Sequence, residues 1–154
     1  MRTLLVGVGN PLLTDDGVGI LVAREVKRRF PSVEMTEASW GGIRLVEEIA
    51  GYERVVIIDS MRREKACPGQ LHRLSLEDLG NGPPPSFSHG VGLKAAIELG
   101  RRLGCPIPEE IEIYAIEVAD TTTFHEGCSP QLKAKIPQLA EEIISKSSLF
   151  DGGG

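Results

Sequence analysis

Four residues stand where strands should end and helices should begin, and their types suit chemistry. The stretch GNPLLTDDG, Gly9–Gly17, follows the apolar run Thr3–Val8 and places Asp15 and Asp16 side by side before a helical pattern. Asp59 closes the apolar run RVVIID, and His89 lies in SFSHGVGL, after Pro83–Pro85 and at the start of another helical pattern. Asp16, Asp59 and His89 form a mixed oxygen and nitrogen set. Imidazole suits zinc, copper, iron and nickel, and carboxylate admits harder ions. Three protein ligands would leave positions open for water or substrate. Each residue also has a plain structural reading. A short carboxylate at a helix start accepts orphan N–H groups and complements the dipole, worth about 0.5–2 kcal/mol. A strand-end aspartate can bond its own turn, and a first-turn histidine can simply face solvent. Capping and ligation fit the acidic pair equally well. Two acids exceed what a cap needs, so Asp15 is expected to secure the helix and Asp16 to face a ligand.

Competing chemistries find less support. Gly7-x-Gly9 after a strand begins a dinucleotide fingerprint, and Glu37 could mimic its ribose-binding acid. Leu12 stands where the third glycine belongs, and Asp15 and Asp16 would repel a pyrophosphate. There is no HExxH zinc helix and no GxSxG elbow. His72 alternates within an expected edge strand and reads as a surface residue; His125, beside Glu126, reads as surface or site. Cys67, Cys105 and Cys128 are far apart and odd in number, which argues against a disulfide framework and fits a reducing cytoplasm.

The elements that must position these residues alternate. Thr3–Val8, Val33–Ala38, Arg54–Asp59 and Ile111–Val118 read as strands. Helical spacing runs from Val18 to Phe30, from Ile43 to Ala50, from Val91 to Leu103 and from Gln131 to Ser145. Gln70–Leu76 reads as a further strand. Its link from Asp59 is too short for a parallel crossover of a dozen or more residues, so it should be antiparallel. The expected fold is a three-layer α/β/α sandwich with a mostly parallel five-stranded sheet and one antiparallel edge strand. Residues 1–148 are expected to form a single domain, with 149–154 a flexible tail. In such sheets ligands bind outside the carboxyl ends of the strands. That edge should collect the loop after Val8, the Trp40-Gly41-Gly42 turn, Asp59 and the loop after Val118. The net charge of −5 argues against nucleic acid and anionic membrane as partners. No apolar run approaches the roughly 20 residues of a membrane span, and no signal peptide is evident.

Taken in order, VGVGNPLLTDDGVG, the Gly41-Gly42 pair, VVIID, SHGVGL and GCSP resemble the hydrogenase maturation endopeptidases over nearly the whole chain. The resemblance implies that family's α/β/α sandwich. It implies an endopeptidase that removes the C-terminal extension of a nickel–iron hydrogenase large-subunit precursor once nickel is inserted. The family's metal-contacting positions fall on Asp16, Asp59 and His89. Nickel would arrive with the substrate, and either assist cleavage or certify the precursor; in the second case Asp16 is the preferred general base. Three departures stand out: Asp16 occurs where the family often has Glu, Glu117-Val118 replaces Glu-Pro, and Cys128 replaces a leucine. A monomer acting in the cytoplasm is expected. Two other readings remain: a non-catalytic factor that inspects or delivers nickel, and a nucleotide-binding oxidoreductase domain.

Overall fold

Buried apolar runs become the central strands. The computed structural model describes residues 2–9, 14–38, 43–62, 67–78, 86–87, 90–118 and 129–147. β1 (Thr3–Val8), β2 (Glu34–Ala38), β3 (Arg54–Arg62) and β6 (Glu110–Val118) are mutually parallel, and β4 (Leu71–Leu74) runs antiparallel to β6. The strand order is β2-β1-β3-β6-β4, so β4 is an edge, as the short link before it requires. A sixth, two-residue strand, β5 (Ser86–Phe87), lies off this path. It pairs antiparallel with Met61 and Arg62 of β3. There β3 has run past its pairing with β1, whose last pair is Gly7 with Ile58.

Helices cover both faces. α1 (Val18–Arg29), α4 (Pro130–Lys133) and α5 (Ile136–Lys146) bury Val22, Val26, Leu132 and Ile143 against Leu5, Val56, Ile58 and Tyr114 of the sheet. On the other face α2 (Ile43–Ile49) and α3 (Gly90–Arg102) bury Leu45, Val46, Ile49 and Ile97 against Val6, Val55, Ile57 and Ile113. Alternate strand residues thus feed two cores, which makes a three-layer α/β/α sandwich.

Three elements differ from the sequence expectation by more than one residue at an end. β3 continues through Asp59 to Arg62, because β6 pairs with it as far as Val118. The strand expected over Gln70–Leu76 is shortened to Leu71–Leu74, and a 3₁₀ turn at Leu76–Asp78 follows. The single helix expected over Gln131–Ser145 is two. Pro137 cannot supply the N–H that a continuous helix needs there, so α4 stops and α5 restarts with the proline in its first turn.

Candidate active site

Close packing of α1 on the sheet brings the acidic turn to the carboxyl edge. Gly7 of β1 lies so near α1 that a Cβ on it would stand 2.9 Å from the Ile20 Cα. Gly19 rests on the strand ends: a Cβ there would be 2.4 Å from the Ile58 carbonyl oxygen and 2.7 Å from that of Val8. Gly7 and Gly19, which flank the opening stretch, therefore serve helix–sheet contact. Just before α1, a 3₁₀ turn spans Thr14–Gly17 and carries Asp15 and Asp16. Asp16 is placed by its backbone at this edge; its side chain lies outside the described residues.

Asp59 lies in β3 opposite Ala115 of β6, and alternation puts it on the face of Val55 and Ile57, beneath α2 and α3. It is 7% exposed, and its Oδ1 accepts the Ser60 N–H at 2.7 Å. That bond fixes the carboxylate at the edge. His89 lies outside the described residues. Its neighbours in sequence are placed: Phe87 pairs with Met61, two residues beyond Asp59, and Gly90 opens α3. Trp40, Gly41, Gly42, His125, Glu126 and Cys128 also lie outside the described residues.

Asp15 does not cap α1 as expected. The N-cap of α1 is Gly17, with no side-chain cap bond. The carboxylate of Asp15, 4% exposed, instead accepts the Ser129 N–H at 2.8 Å through Oδ1 and the Ser129 hydroxyl at 3.3 Å through Oδ2. Ser129 is the N-cap of α4, so one of that helix's orphan donors is satisfied from the other end of the chain. The DDG and GCSP motifs, 114 residues apart, meet through this contact.

His72 is likewise not a bare surface residue. Its Nε2 lies 2.6 Å from Oε2 of Glu117, and the two side chains are 28% and 2% exposed. Oε1 of Glu117 accepts the Cys67 N–H at 3.3 Å. The usable sequence signal was Glu117 itself. A buried acid on a central strand needs a donor, and His72 is the histidine on the strand next door. Among the described residues no three His, Cys, Asp or Glu side chains converge on a metal position, so Cys67, His72 and Glu117 do not form one.

The nucleotide reading loses its ribose acid. Both oxygens of Glu37 are held by Arg24 of α1, at 2.7 Å from Nε and 2.7 Å from Nη2. The same bidentate contact raises the pKa of the Arg24 guanidinium above its ordinary value.

Known proteins share this chain's sequence and architecture. The family model described as hydrogenase maturation protease matches residues 20–146. The hydrogenase 2 maturation protease of Escherichia coli K12 is 26% identical over 153 residues, covering 94% of this chain and 90% of its own length. The solved structure of the hydrogenase maturating endopeptidase HybD from E. coli superposes with a TM-score of 0.72 at 25% identity, covering 99% of this chain and 94% of that one. The [NiFe] hydrogenase maturation protease HybD from Thermococcus kodakarensis gives a TM-score of 0.73 at 25% identity, covering 94% and 98%. The family match and these likenesses agree: the chain belongs to the hydrogenase maturation protease family, and its chemistry is peptide-bond hydrolysis.

Proposed function

We propose that this peptidase removes the C-terminal extension of a nickel–iron hydrogenase large-subunit precursor after nickel insertion, with Asp16, Asp59 and His89 contacting the nickel that the precursor carries. The observation that carries the reading is Asp59: a buried acid at the carboxyl edge of a parallel sheet, clamped by the Ser60 N–H. Asp16 belongs to a turn delivered to that edge by the Gly19 contact with Val8 and Ile58. His89 is tied by chain connectivity to Phe87, which pairs two residues past Asp59. Oxygen and imidazole donors suit nickel. A bound cation of this kind polarises a carbonyl or acidifies a water. The chain's own residues hold the tail in place. If the nickel only certifies the precursor, a carboxylate takes a proton from the attacking water and passes it to the leaving amine nitrogen; Asp16 is the residue assigned to that step. The free thiols of Cys67 and Cys105 fit action in a reducing cytoplasm.

The test uses purified protein with nickel-loaded and nickel-free precursor, and mass spectrometry of the products. Tail release from the loaded precursor alone is expected. Binding without release would show a nickel-inspecting factor instead. His89→Ala should abolish release with an unchanged melting curve, and full activity in that variant would remove His89 from the site.

A further inference from the structure

We infer that the His72–Glu117 pair is a substrate-contacting element of the peptidase site, in which His72 accepts a hydrogen bond from a backbone N–H of the precursor's tail. The inference rests on the reading that the precursor is cut at the Asp59 edge.

Register puts the pair beside Asp59. Asp59 and His72 are both partners of Ala115, one on each side, so the three side chains form a row on the face of α3. With strands about 4.8 Å apart, the Cα atoms of Asp59 and His72 are separated by roughly 10 Å. The residue between them contributes only a methyl group. Glu117 lies two residues further toward the carboxyl edge, opposite Met61.

The chemistry of the pair defines what His72 offers. An ionised carboxylate only accepts, so the Nε2 facing Glu117 must carry the hydrogen. In the neutral ring Nδ1 is then a bare acceptor. Among the described residues Nδ1 has no hydrogen-bond partner, and the side chain is partly open to solvent. Docking β4 on β6 does not need such a pair, since replacing both partners of a buried hydrogen bond by apolar groups of the same shape is often nearly neutral or stabilising. Here a buried acid instead fixes one imidazole tautomer on the same face as Asp59. Glu117 also binds the Cys67 N–H and, through its backbone carbonyl, the Gly69 N–H, so the turn beside the pair is fixed as well. An extended peptide advances about 3.3 Å per residue. His72 therefore meets the tail within about three residues of the bond held at Asp59. Such a contact reads peptide backbone, which suits a tail recognised by its attachment to a metal-loaded precursor more than by its side chains.

The experiment is steady-state cleavage of nickel-loaded precursor by the full chain. His72→Ala is expected to raise KM about tenfold and to leave kcat within twofold. Glu117→Gln can still accept from Cys67, but its amide donates to Nε2 and turns Nδ1 into an N–H. It should raise KM similarly while the melting curve barely moves. Nitrogen-15 NMR of the imidazole should report the neutral Nε2–H tautomer in the parent and the Nδ1–H tautomer in Glu117→Gln; a doubly protonated ring in the parent makes Nδ1 a donor and overturns the inference. Unchanged KM in both variants, or activity loss that only tracks lost folded protein, overturns the inference. Full cleavage by Asp59→Asn is a separate failure, that of the site's placement.

Discussion

Asp15 and Asp16 are adjacent acids, yet their surroundings separate them. Asp15 is buried and fully engaged by Ser129, so its work is to hold the 3₁₀ turn against the start of α4. The sequence showed the pair and suggested a division of labour, but it assigned Asp15 to the wrong helix. A carboxylate near two helix starts can serve either, and only the tertiary path decides which. The two roles give different stability data. Asp15→Ala leaves the partly buried Ser129 N–H without its acceptor and should lower unfolding free energy by about 1–3 kcal/mol in urea titration. Asp15→Asn keeps an acceptor and should lose less. A double-mutant cycle with Ser129→Ala should show a coupling of about 0.5–1 kcal/mol, from the hydroxyl bond alone. Zero coupling would mean that the hydroxyl bond adds nothing and that the Ser129 N–H alone carries the contact. His72 was misread for a related reason. Its partner is 45 residues away, and cross-strand pairing depends on a register that sequence spacing does not fix.

Elements were legible where apolar runs were long. β1, β3 and β6 are placed where their sequence patterns put them, because strands buried on both faces are largely apolar. Ends were less legible, since they depend on the neighbour. β3 overshoots Asp59 because β6 offers it backbone partners, and Asp59 thereby becomes a rigid strand residue and not a loop residue. The fit of α1 on the strand ends follows from Gly19, whose glycine the sequence offered only as part of a motif. Gly19→Ala would drive a methyl into two backbone carbonyls that cannot rotate away, so α1 must lift. Overpacking of this kind costs about 1–3 kcal/mol, against about 1 kcal/mol gained from helix propensity. The expected result is a lower melting temperature. Precursor cleavage per folded molecule should also fall, because the turn carrying Asp16 moves with the helix. A variant as stable and active as the parent would show that this contact is slack.

At the scale of the molecule, the two cores were readable from alternation, but the buried polar network that closes one of them was not. Glu112 points from β6 into the α5 side and gathers distant donors: Arg73 from β4 at 3.0 Å, the Ser147 hydroxyl after α5 at 2.9 Å and the Tyr114 hydroxyl at 3.4 Å. This ties the end of the last helix to the edge strand. In sequence Glu112 and Tyr114 look like ordinary alternation in a strand, and nothing local announces Ser147. The network makes a pH prediction. Burial, and then the Glu112 carboxylate, pushes the Tyr114 hydroxyl up to about 12, from an ordinary value of 10.0. Below pH 10 the folded and unfolded chains both hold that proton, and its contribution to stability is complete. Between pH 10 and pH 12 the unfolded chain releases the proton while the folded chain keeps it, so stability falls as pH rises. Urea unfolding at pH 9 and at pH 11.5 should show a loss greater by roughly 1–2 kcal/mol in the parent than in Tyr114→Phe. The lysines and arginines titrate alike in both proteins, so the difference isolates the phenol. Equal losses would mean that Tyr114 ionises as it would in water and that the network does not close around it.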